Sequence, residues 1–207
     1  MTKKILIGII AIIIALIGII MYIFSPTPNF MRNKEVDGVK IEAKISNDDR
    51  IPIIRTYTKE KFESFDQEKI EKLNEEIGGR IEGDIPCIHL LEDNKIHLTF
   101  YKDGEKINPD DAYIKITAHA SDYRNPTKKR YIESELTDEG EKTYTFATKR
   151  YSVQYEKYFM EYLRMEITYT IEGKDYTSIF ATNQTNAPDG TDFFKNEDLE
   201  QPLDPEE

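Results

Sequence analysis

Two hydrophobic patterns divide the chain. From Ile5 to Phe24, twenty consecutive residues carry no charge. As a helix they would rise about 30 Å, the thickness of a bilayer's hydrocarbon core. From Val39 onward the apolar residues instead recur at every second position, the period of a strand with one buried face. The first pattern predicts a transmembrane helix over 5–24; the second predicts a mainly β body.

The alternation is dense. Val39, Ile41, Ala43 and Ile45 are separated by Lys40, Glu42 and Lys44. A second short strand is expected near Ile51–Tyr57, with Pro52 confining it to an edge or a strand start. Ile88 and Leu90 lead into Ile96, Leu98 and Phe100, and further strands are expected over Ala112–Ala120, Glu141–Thr148 and Leu163–Ile171. Asp103-Gly104 suits a type I′ turn that sets Phe100 opposite Ile107. Gly173-Lys174 suits a type II′ turn that would set Ile171 opposite Tyr176 and Ile167 opposite Phe180. One soluble helix is expected over 66–77. Asp66 can cap it, Ile70, Leu73 and Ile77 form its apolar stripe, and Gly78-Gly79 offers a left-handed stop. Tyr151, Tyr155, Tyr158 and Tyr162 also fit one helical face, so Tyr151–Tyr162 stays open between helix and strand.

Seven or eight short strands with closely spaced turns point to an antiparallel β-sandwich. The segments Leu98–Ile107, Asp111–Thr117 and Leu136–Phe146 follow a rhythm of strand, Asp-Gly turn, Ala-x-Ile strand, Thr-Asp-x-Gly and Tyr-Thr-Phe strand. Over about 85–182 this resembles immunoglobulin-like modules of prokaryotic cell-surface proteins. The resemblance implies a structural or adhesive module without catalysis. The helix over 66–77 and the lack of a Cys…Trp…Cys core pattern depart from a standard module.

Several readings compete for the apolar run. A cleaved signal peptide has an apolar region of about 7–15 residues and a small-x-small cleavage site. Here the run is longer and is followed by Ser25-Pro26. A lipoprotein needs a cysteine after the span, and the single cysteine is Cys87. An uncleaved signal anchor fits best. Lys3 and Lys4 on its N-terminal flank favour a cytoplasmic N-terminus (1–4) and an extracytoplasmic C-terminal domain at the cell membrane. Within the span, Gly8, Ala11, Ala15 and Gly18 share one helical face, where small residues let helices approach closely in lipid. That face is a candidate contact with itself or with another membrane protein. Prolines 26 and 28 suggest a short stalk over 25–35, leaving a domain over 36–182.

Composition sharpens the picture in a few places. The net charge is −11, and residues 183–207 hold eight acids against Lys195 alone, so most of the imbalance lies in a tail expected to be disordered. No basic stripe suggests nucleic acid as a partner. Cys87 is expected as a small buried hydrophobe. If Ile85–Leu91 and Lys95–Tyr101 formed a hairpin with a three-residue turn, His89 would face His97, and His119 could complete a metal site. The plainer reading is two solvent-facing histidines, and no metal or cofactor is expected. Asp189-Gly190-Thr191-Asp192 lacks the ligand spacing of a calcium loop. Asn183-Gln184-Thr185 is an N-glycosylation sequon. Clustered tyrosines could form a sugar or peptide patch, or the wet edge of a core. No nucleophile elbow, zinc-protease helix, phosphate-binding loop or dinucleotide fingerprint occurs, so an enzyme is not expected. The expectation is a single-pass, membrane-anchored β-sandwich with a structural or binding role at the cell envelope. The alternative is an accessory subunit assembling through its membrane helix.

Overall fold

A computed structural model describes residues 12–21, 25, 28–79, 84–91, 94–119, 129–148 and 160–187. Residues 12–21 (α1) are helical, and their large side chains touch no core: Ile12, Ile14 and Met21 are each more than 60% exposed. Among the described residues no helix is long and apolar enough to cross a membrane. The span expected over 5–24 falls partly outside them.

The body is mainly β. Among the described residues, one sheet joins Asn33–Lys34 (β1), Ile54–Thr58 (β3), Lys174–Thr185 (β12), Met160–Ile171 (β11), Asp111–His119 (β7) and Lys129–Glu135 (β8) in that order. Cys87–His89 (β4) adds to the same side of β12 as β3. The second sheet joins Val39–Ile45 (β2), Lys95–Lys102 (β5), Thr143–Ala147 (β10) and Thr137–Gly140 (β9), with Glu105–Ile107 (β6) also on β5. The sheets pack face to face. Ile41, Leu98 and Phe100 from the second sheet meet Ile114, Met165, Ile167 and Tyr169 from the first, all essentially inaccessible to water. Burying each such side chain stabilises the fold by roughly 1.5–3 kcal/mol.

Both sides of the sandwich are stitched by the chain itself. Only Leu136 separates β8 from β9, so one extended segment passes from the first sheet to the second. On the other side, β1 reaches β2 through the Asp37-Gly38 turn, where Val36 and Val39 exchange backbone hydrogen bonds of 3.0 and 2.8 Å. The exposed edge of β2 is further tied down by Asn33 Nδ2, which donates to the Ile41 carbonyl.

A third layer covers the first sheet. Lys59–Glu63 (α3) and Gln67–Ile77 (α4) lie over β3 and β12, with Leu73 and Ile77 packed on Ile179 and Ala181 and ringed by Tyr57, Phe62, Phe65 and Tyr162. As expected, Asp66 caps α4 through a 2.9 Å bond from the Lys69 amide, and Gly79 supplies the left-handed stop at φ +77°. A side chain at Gly79 is doubly excluded, because its Cβ would overlap that of Asp84.

Several expectations are corrected. The hairpin over Ile85–Leu91 and Lys95–Tyr101 does not form: β4 runs parallel to β12 in the first sheet, while β5 is central in the second. Ile88 and Ile96 do face one core, but from opposite walls. The β11–β12 turn is Glu172-Gly173, both residues at positive φ, so Ile171 pairs with Lys174 and Ile167 with Ser178. Two left-handed residues make the I′ geometry that matches strand twist. Asp103-Gly104 has that geometry too, and Phe100 opposes Ile107 as expected. Tyr162 lies in β11, not on a helix, whereas Tyr151, Tyr155 and Tyr158 lie outside the described residues.

Candidate functional site

The chain joins its body along the edge of the first sheet that carries β1, β3 and β4, and the part of that edge toward Cys87, Thr185 and Ile45 is the root. Asn29–Arg32 (α2) is a single turn, and β1 then pairs in parallel with Ile54 and Arg55. From Asn29 on, the residues expected as stalk are therefore part of the body. Arg32 turns inward. Its Nη2 lies 2.5 Å from Asp84 Oδ1, and its Nη1 donates to the Ile51 carbonyl at 2.6 Å and the Asp84 carbonyl at 3.3 Å. Arg32 is 6% and Asp84 1% exposed. Beside it, Arg55 Nε donates to Glu76 Oε1 at 2.6 Å and Nη1 to the Arg32 carbonyl at 3.1 Å. Two guanidiniums thus lock α2, β3, α4 and the segment after α4 into one unit. A planar guanidinium with several donors in a fixed fork satisfies carboxylate and carbonyls together, a geometry that a lysine's single nitrogen does not reproduce.

Asp48 holds the next loop at the root. It accepts from the Cys87 amide at 2.7 Å, the Arg50 amide at 2.8 Å and Arg50 Nε at 2.9 Å. Burial pushes its carboxyl up, but the hydrogen bonds from Arg50 and Cys87 outweigh that and hold it below the usual range. Cys87 is buried as expected, and burial raises its thiol to about 12, so it is neutral and unreactive.

The opposite, distal end gathers the Asp37-Gly38, Asp103-Gly104 and Glu172-Gly173 turns. A cleft of about 510 Å³ lies there between α3 and the β11–β12 turn, lined by Thr58, Lys59, Glu60, Glu63, Lys174 and Asp175. Both of its lysines are paired: Lys174 Nζ lies 2.5 Å from Asp37 Oδ2, and Lys59 Nζ 3.7 Å from Asp175 Oδ2. With no apolar floor, it suits a hydrated polar ligand better than a small apolar one.

The predicted site residues do not converge. His89 neighbours inward-facing Ile88 and so points from the outer surface of the first sheet, while His97 occupies the outer surface of the second, between Lys44 and Thr145. The His89–His97 pairing is thereby overturned, and β7 ends at His119 in the first sheet. Among the described residues no group of three or more His, Cys, Asp or Glu could hold a metal ion. Asn183 lies inside β12, bonded to Pro86 and flanked by Cys87 and Tyr162, and Thr185 is 1% exposed. The sequon is thus presented as paired strand, not as an accessible loop. Of the small-residue face, Ala15 and Gly18 lie in α1, where a Cβ added to Gly18 would meet nothing within 4 Å; Gly8 and Ala11 fall outside the described residues. So does the Asp189–Asp192 stretch.

Three polar groupings escaped the sequence pattern. Ser46 Oγ lies 3.0 Å from His97 Nε2, but it also reaches the Lys95 carbonyl at 3.2 Å, and neither strand neighbour of His97 is an acid that could orient it. A nucleophile needs such a base and an orienting group together. Inside the sandwich, Thr56, Ser178 and Tyr169 form a hydroxyl chain with links of 2.8 and 2.9 Å, and burial raises the tyrosine phenol. At the root, Gln184 Nε2 donates to buried Glu161 at 2.5 Å. Serine, threonine and glutamate in apolar slots of an alternation were the available signal for the last two.

No family model, curated protein or solved structure matches this chain.

Proposed function

We propose that this chain is a single-pass membrane protein whose β-sandwich, an immunoglobulin-like module, stands outside the cytoplasm and serves a structural or binding role at the envelope without catalysis. One observation carries the reading: α1 presents isoleucine, leucine and methionine on every side, with Ile12, Ile13, Ile14, Leu16, Ile17, Ile19, Ile20 and Met21 all about half exposed or more. A helix apolar all round needs an apolar surrounding. Its ten residues rise about 15 Å, and the apolar run continues through Ile5 on one side and Phe24 on the other, enough for a full span. The face-to-face sheets support the sandwich assignment. The test is fractionation of cells making the full chain. The chain should resist alkaline extraction from membranes, and protease added to intact cells stripped of their wall should digest the body. Release by alkali, or a body protected from that protease, defeats the proposal.

A second reading, an accessory subunit, is favoured by Ala15 and Gly18. Small residues on one helical face let a partner helix approach closely in lipid. Replacing Gly8, Ala11, Ala15 and Gly18 with leucine should abolish co-purification of a membrane partner; an unchanged set of partners rejects it.

A further inference from the structure

Apolar exposure on the body is lopsided. Among the described residues beyond α1, the large hydrophobics left exposed are Leu91 at 75%, Ile51 at 48%, Met31 at 43% and Tyr113 at 41%. Tyr113 sits on the outer face of the first sheet, in β7. The other three belong to the root. Met31 precedes Arg32, whose Nη1 holds the Ile51 carbonyl at 2.6 Å. Asp48, three residues before Ile51, holds the Cys87 amide at 2.7 Å, and Leu91 follows β4 just past the Leu90–Thr185 backbone bond of 2.9 Å. Scattered apolar residues need no explanation, but three on segments tied to one another by these hydrogen bonds do.

The tether says what covers them. Four residues, Ser25–Pro28, lie between the end of the apolar run and α2. Fully extended, the five Cα–Cα steps from Phe24 to Asn29 reach about 18 Å. Asn29 cannot stray further than that from the level at which the run ends, and the Arg32–Asp84 ion pair holds the chain to the body three residues later.

We propose that Met31, Ile51 and Leu91 form an apolar rim that rests in the lipid interface, so that the body stands on the bilayer in a fixed orientation and offers its distal cleft away from it. This rests on the membrane-anchor reading above. The partner is the lipid surface itself.

The chain contains no tryptophan, so a single introduced one reports its own surroundings. Full-length Leu91→Trp, Ile51→Trp and, as a distal control on β6, Lys106→Trp would each be reconstituted into phosphatidylcholine–phosphatidylglycerol vesicles with or without shallow brominated lipid. Residues seated about 5–10 Å into the headgroup region should lose about half their emission to the bromine at positions 91 and 51, and almost none at 106. Vesicle flotation of the same samples separates the two ideas. If the chain floats but the Leu91→Trp and Ile51→Trp variants are quenched no more than Lys106→Trp, the rim is overturned and the anchor stands. Failure to float overturns both.

Discussion

The root and the distal end of the body are both laced by ion pairs, yet the surroundings of those pairs are opposite. At the root, Arg32 and Asp84 meet with side chains 8% and 0% exposed. At the distal end, Lys174 and Asp37 meet with side chains 55% and 45% exposed. In water two charges at contact gain little over their hydration, whereas in a dry site each depends on the other almost completely. The comparison teaches that geometry alone does not rank these contacts: both are 2.5 Å long. Burial ranks them, and it ranks highest the pair at the point where the tether joins the body.

The largest expected effect therefore comes from Arg32→Met. It leaves Asp84 buried without its cation and should cost about 3–5 kcal/mol, read as a lower urea midpoint of unfolding. Adding Asp84→Asn removes the stranded charge and should recover part of that loss. If the single variant unfolds like the wild type, the root is no better held than the distal end, and the contrast fails. Asp48→Asn comes next. Losing hydrogen bonds to a charged acceptor should cost about 1.5–3 kcal/mol near neutral pH. Because the folded-state carboxyl sits below its ordinary value, its contribution is complete above the unfolded pKa and disappears as pH falls through the folded one. The stability gap between wild type and variant should thus be full at about pH 6 and narrow on acidification below about pH 4. A gap independent of pH would mean that the Asp48 charge does not hold the loop.

The contrast also explains what could be read from the sequence. Features fixed within a few residues were legible: the Asp103-Gly104 turn with its Phe100–Ile107 register, the Asp66 cap, and the Gly79 stop. Features fixed by distant residues were not. Alternation reports which side chains face the core but not from which wall, so Ile88 and Ile96 fit one hairpin face equally well while belonging to opposite sheets. A slip of two residues preserves every facing, so the pattern could not separate Gly173-Lys174 from Glu172-Gly173 as the turn. Lys129–Glu135, with one aliphatic residue, gives no strand pattern because an edge position makes small demands on it. Arg32 looked like a stalk residue because its partner lies 52 positions away. One long-range feature does leave a local signal: Ile179-Phe180-Ala181 is apolar without interruption, as expected of a strand buried on both faces, and α4 covers it.

The smallest expected effect lies at the distal end and is diagnostic for that reason. The hydrogen bond to Asp37 raises the Lys174 ammonium above its ordinary value. Its contribution is then present below the unfolded pKa and lost as pH rises through the folded one, so it can fade only in strong alkali. Lys174→Ala should leave the urea midpoint at about pH 7 unchanged within replicate scatter, and any difference at low ionic strength should vanish at about 1 M salt, where screening acts within about 3 Å. A salt-resistant loss comparable to that of Arg32→Met would mean that the distal turns are clamped as tightly as the root. The cleft beside them would then be a rigid part of the core, not a solvated surface free to adjust to a ligand.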